Sequence, residues 1–146
     1  MRQVSVDAGF ICTSIGASLN GMVALGSSSG LYISEREMAA SNIKADFTGS
    51  QQLNSASYAS GLVFICGASG GLSCYPLSDP STASLTCLND STEFTRCHAS
   101  EYDGMVNLVA WTKDEIYSQS YASADDVDAY SFGAEAASKK FQNTSI

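Results

Sequence analysis

Gly61-Leu62-Val63-Phe64-Ile65-Cys66-Gly67-Ala68-Ser69-Gly70-Gly71-Leu72-Ser73-Cys74-Tyr75 decides how this chain is read. An unbroken apolar run from Leu62 to Cys66 meets a Gly/Ser cluster, and a more alternating stretch follows it. Strand, tight turn, strand is the pattern of a β-hairpin. The unbroken run implies a strand covered on both faces, because a strand with one wet face alternates apolar and polar residues.

Two further segments repeat this pattern. Upstream, Gly21-Met22-Val23-Ala24-Leu25 leads through a turn at Gly26 to Gly30 into Leu31-Tyr32-Ile33-Ser34. Downstream, Gly104-Met105-Val106-Asn107-Leu108-Val109 leads through Thr112-Lys113-Asp114 into Glu115-Ile116-Tyr117-Ser118. The leading glycines lie 40 and 43 residues apart. A turn pair opens each copy, Asn20-Gly21, Ser60-Gly61 and Asp103-Gly104, and a Ser-rich segment precedes it. A short alternating stretch closes each copy, at 42–47, 83–88 and 126–132. The unit is therefore about four short strands, and burial should fall from its apolar strand outward. Repeats at roughly 10–50, 51–91 and 92–133 lie within a single β domain spanning 1–146. Only Ser34 to Ser41 and Ala134 to Lys140 carry a signal for a turn or two of helix.

A turn pair, an apolar strand, a Gly/Ser turn and then Leu31-Tyr32-Ile33 resembles a blade of a β-propeller, WD40-like in period. The resemblance covers about Phe10 to Phe132, without the Trp-Asp pair or the Gly-His that mark that family. It implies an all-β chain of about three four-stranded propeller-like blades. A β-sandwich of hairpins is the alternative. Propellers close with four to eight blades, so three blades leave an apolar face and sheet edges uncovered. A homo-oligomer or a larger protein assembly would supply the missing neighbours. Gln3 to Asp7 resembles an outer strand and Lys140 to Ser145 a leading one, as a blade spliced between chains requires.

Composition sets the outer bounds. The 146 residues are 45% hydrophobic and 15% charged, with 7 basic and 15 acidic side chains and a net charge of −8. That apolar content argues against disorder, and the negative field argues against a nucleic-acid partner. No run reaches the roughly 18 apolar residues that a membrane helix needs. Met1 to Asp7 contains no apolar leader, so the sequence reads as cytoplasmic at synthesis. Cys12, Cys66, Cys74, Cys87 and Cys97 are odd in number and irregular in spacing, which favours reduced, buried thiols over a disulfide framework. The sequons at Asn89 and Asn143 are unremarkable in a Ser-rich chain.

No catalytic constellation emerges. Gly67-Ala68-Ser69-Gly70-Gly71 matches the G-x-S-x-G elbow, but Gly26-Ser27-Ser28-Ser29-Gly30 matches it at the equivalent place, which marks both as hairpin turns. His98 is the sole histidine, and its neighbour Cys97 should face the opposite way in a strand. The cysteines lack metal-ligand spacing, and Asp125-Asp126-Val127-Asp128 lacks the frame of a calcium loop. No cofactor is implied. Trp111, placed at the tip of the third hairpin, and Tyr117 are the candidate binding residues, for a protein partner or a sugar face. The sequence thus points to a non-enzymatic structural or interaction module. A phage virion component (tail, neck or decoration) is suggested by composition, and a carbohydrate-binding oligomeric propeller is the alternative.

Overall fold

Turn chemistry explains where the strands reverse. In the computed structural model Ser60 and Gly61 have φ of 48° and 79°, and Asp103 and Gly104 have φ of 52° and 76°. Positive φ at both central residues is what a two-residue type I′ hairpin turn requires. Residues 12–17, 23–27, 30–34, 43–44, 53–67, 70–76, 85–133 and 137–140 are described. They form three four-stranded antiparallel sheets in chain order. The first holds β1 (Cys12–Ala17), β2 (Val23–Ser27), β3 (Gly30–Ser34) and β4 (Ile43–Lys44). The second holds β5 (Leu53–Ala59), β6 (Leu62–Gly67), β7 (Gly70–Pro76) and β8 (Thr86–Asn89). The third holds β9 (Arg96–Tyr102), β10 (Met105–Trp111), β11 (Glu115–Tyr121) and β12 (Ala137–Lys140).

The chain is all-β, and the three expected hairpins are β2–β3, β6–β7 and β10–β11. The only helical turn among the described residues is a 3-10 turn at Ala124–Asp126. Neighbouring sheets meet through their leading strands, β1 and β2 on β5, and β5 and β6 on β9. The second sheet therefore lies between the other two. Val63, Phe64, Ile65 and Cys66 on β6 are all buried, as their unbroken apolar run requires. Leu62, Phe64, Cys66, Leu72 and Cys74 pack toward the third sheet, against Ala99, Val106, Leu108 and Ala110. Emptying the Phe64 site would remove a fully buried ring, a cost of about 3–5 kcal/mol.

Two expectations near the C-terminus are corrected. Residues 126–132 do not form the fourth strand of the third sheet, and 137–140 are strand rather than helix. The reason is a competing partner. The Tyr130 and Phe132 amides donate to the carbonyls of Cys87 and Leu88 at 2.8 and 3.2 Å, which caps the outer edge of β8. Phe132 is thereby buried, with its ring edge-on to Phe94 at 5.6 Å. The outer-strand register left vacant on β11 is filled by β12, pairing Glu115 with Lys140 and Ser118 with Ala137. The remaining helical and spliced-strand expectations, at 35–41, 3–7 and 141–145, lie outside the described residues.

Asn89 fastens this crossing. Its Oδ1 accepts from the Ser91 and Thr92 amides at 3.1 and 3.0 Å, while its Nδ2 donates to the Phe132 carbonyl at 3.1 Å. A Cβ at Gly133 (φ 106°) would come within 2.6 Å of that Nδ2, so the turn tolerates only glycine. Asn89→Ala leaves three backbone groups without their partner. Urea unfolding should show a loss of about 2–3 kcal/mol, with the far-ultraviolet β signal of the folded state unchanged.

Cys66, Cys74, Cys87 and Cys97 are free thiols, and all but Cys87 are buried; the Cys12 side chain is outside the described set. Burial pushes the Cys74 thiol from 9.0 up to about 11, with a hydrogen bond to Thr86 pulling the other way. Its hydrogen bond with Cys97 and then burial push Cys66 in the same direction. The unfolded chain releases these protons near the ordinary thiol range while the folded chain retains them. Stability should therefore be whole below about pH 9 and fall as pH rises through 11, by about 2 kcal/mol at pH 11 from Cys74 alone. Urea midpoints at pH 8 and pH 11, compared between the wild type and Cys74→Ala, measure that share.

Candidate functional site: an open sheet face and a serine-capped joint

The joint between the second and third sheets is held by side-chain hydroxyls as well as by apolar packing. Among the described residues β9 lies at the edge of its sheet, with β10 as its one strand neighbour. Alternate residues of an antiparallel edge strand direct N–H and C=O away from the ladder, and such groups need partners when buried. Ser55 and Ser57 supply them. The Ser55 hydroxyl donates to the Cys97 carbonyl at 3.0 Å and accepts from the Cys97 amide at 3.3 Å. The Ser57 hydroxyl accepts from the Ala99 amide at 2.8 Å and donates to the Ala99 carbonyl at 3.4 Å. One hydroxyl thus serves both backbone groups of one residue, twice. These serines are 4% and 6% exposed, although their Ser-rich segment gave no sign of burial in the sequence.

The opposite face of the third sheet is different. Along β10 burial alternates, with Val106, Leu108 and Ala110 buried toward the second sheet and Met105, Asn107, Val109 and Trp111 on the other side. Register places Arg96, His98, Ser100 and Tyr102 of β9 on that outer side, with Ile116, Ser118 and Ser120 of β11. Tyr102 is 78% exposed, Met105 42% and Ile116 37%, while Val109 and Trp111 are half-buried. Across this face the Ser120 hydroxyl donates to Asn107 Oδ1 at 2.7 Å. The surface mixes apolar Met105, Val109, Trp111 and Ile116 with polar Asn107, Ser118 and Ser120.

The residues singled out in the sequence fall as follows. Trp111 is not at the hairpin tip. It ends β10, opposite Ile116 and Arg96, and the Thr95 amide and hydroxyl donate to its carbonyl at 2.8 and 3.0 Å. The turn itself is built by Thr112, whose hydroxyl accepts from the Asp114 and Glu115 amides at 3.1 and 3.0 Å. Tyr117 pairs with Ala110, one step out of phase with Trp111, so the two aromatics occupy opposite faces and form no common platform. The Tyr117 ring stands edge-on to Phe94 at 5.4 Å. Its hydroxyl donates to Glu115 Oε2, and that bond raises the phenol above its ordinary range.

His98 is exposed on the open face while Cys97 is buried on the other, as strand alternation requires. Ser69 lies outside the described residues, but Gly67 pairs with Gly70 across a hairpin and strand β7 follows. A nucleophile elbow needs a helix there. No group of three metal-ligating side chains is assembled among the described residues, Asp125, Asp126 and Asp128 included. Among them, too, no helix is long and apolar enough to cross a membrane.

Comparison with known proteins places the fold. No protein-family model matches the chain, and no curated protein is similar to it in sequence. A protein of unknown function from Bacteroides caccae superposes with a TM-score of 0.54 at 17% identity, over 94% of this chain and 48% of that one. The major Malassezia sympodialis allergen Mala s 1 superposes with a TM-score of 0.55 at 12% identity, over 92% of this chain and 43% of that one. At such identities the likeness is one of fold. The chain spans about half the length of these solved proteins.

The serine caps carry a direct test. Ser57→Ala keeps the packing volume but leaves the buried Ala99 amide and carbonyl unserved. Thermal or urea unfolding should record a loss of about 1–3 kcal/mol, and Ser57→Thr should recover much of it.

Proposed function

We propose that this chain is a non-enzymatic structural module, three blades of a propeller-like ring that a second copy of the chain completes. One observation supports the reading above the rest. The same hairpin occurs three times, and in the second sheet it is buried on both faces, whereas the third sheet leaves one comparable face in water. A repeat built to be covered on both sides calls for a neighbour where none is present. Three sheets fall short of the four to eight that close a ring, and two copies supply six. The two similar solved proteins are each about twice as long as this chain.

Closure by a two-fold places the third sheet of each protomer on the first sheet of its partner, giving two identical joints. Trp111 and Ile116 then act as apolar anchors in a protein interface. A sugar site is less well served, because Trp111 and Tyr117 lie on opposite faces of the sheet. A virion component is one setting for such a repeated assembly, and it rests on composition alone.

The single tryptophan reports the contact directly. Sedimentation should give twice the 15.3 kDa chain mass at micromolar concentration, and Trp111 emission should shift to the red on dilution. Ile116→Asp should yield a folded monomer, because Ile116 is already 37% exposed in the single chain. A wild type that stays monomeric at high micromolar concentration, with concentration-independent emission, rejects the reading.

A further inference from the structure

The joint inside the chain specifies how the joint between chains is built. Ser57 pairs with Phe64, the third residue after the turn glycine Gly61. Ser100 pairs with Asn107, the third residue after Gly104. Ser100 is therefore the Ser57 of the third sheet, and it stands exposed on the open face. The residue that Ser57 serves is Ala99, which pairs with Leu108, the fourth residue after Gly104. Its counterpart in the first sheet is Ile15, which pairs with Leu25, the fourth residue after Gly21. Among the described residues β1 is an edge strand with β2 as its strand neighbour, as β9 is beside β10.

We propose that Ser100 is the specificity-determining contact of this self-association, its hydroxyl accepting from the Ile15 amide and donating to the Ile15 carbonyl on the partner's β1. The inference rests on the ring reading above and adds the recognition chemistry to it. The occupant of the open face is a second copy of this chain, because the joint continues an interface already seen between its own sheets. Strand β1 provides an edge in the register that β9 offers to Ser57. An apolar surface alone would accept many partners. A hydroxyl that must meet an amide and a carbonyl of one residue at a fixed height selects an edge strand in one register. His98 takes the place of Ser55, one step along the same strand face, and sets the flank of that contact. In the first sheet the position of Ser57 and Ser100 is Gly16, which has no hydroxyl, so this cap belongs to the second and third sheets.

Sedimentation equilibrium on the full chain, with Trp111 emission as a second readout, tests the contact through Ser100→Ala and Ser100→Thr. Ser100 is exposed in the single chain, so both variants fold. Loss of this hydroxyl at each of two joints should weaken dimerisation about tenfold to a hundredfold in Ser100→Ala, and Ser100→Thr should restore it to within a few fold. A wild type that dimerises while Ser100→Ala dimerises equally well overturns the contact and leaves the ring standing. A wild type that remains monomeric overturns both.

Discussion

An edge strand brought into a core must have its outward backbone groups served, and that requirement organises this molecule. β9 meets it through Ser55 and Ser57, whose hydroxyls lie 2.8 to 3.4 Å from the amides and carbonyls of Cys97 and Ala99. Without those caps the third sheet could approach the second only by burying four unserved polar groups, each costing about 1–3 kcal/mol. With them, sheets can meet through their leading strands and bury Phe64, Leu72, Leu108 and Val106 behind the joint. The polar contact sets the register, and the apolar surface beside it supplies the driving force.

From that joint the asymmetry of the chain follows. The second sheet has a neighbour on each side, and its strand β6 is buried from Val63 to Cys66. Among the described residues the third sheet has one neighbouring sheet and ends in a face bearing Tyr102, Met105, Val109, Trp111 and Ile116. The wandering segment after β11 reinforces the finished side only. Phe132 and the Asn89 bond close the gap between the second and third sheets and leave the outer face untouched.

Much of this was legible in the residues. Ser60-Gly61 and Asp103-Gly104, each with an apolar run after it, marked strand reversals because turn chemistry and hydrophobic period are local properties, while Asn20-Gly21 lies outside the described residues. Cys66, Cys74 and Cys97 read as buried thiols for the same reason: small apolar side chains in apolar strands sit inside. Ser55 and Ser57 were not legible. Their burial depends on a strand 42 residues away, and serine is as common in exposed turns as in capped joints. Nor was the path of residues 126–132, whose alternation suits a strand of the third sheet equally well until β8 competes for it. Trp111 was misplaced by the length of the turn, and a shift of one residue is enough to move a side chain to the other face.

By itself, then, the sequence determined an all-β chain of three hairpin units, the positions of their turns and which strand of each is most apolar, since neighbours along the chain set all of these. Tertiary structure decided which strand edges are capped, which faces are covered and which side chains share a surface. Those outcomes depend on groups far apart in sequence arriving at one place, and the pairing energy that selects among them exists only once the sheets have met.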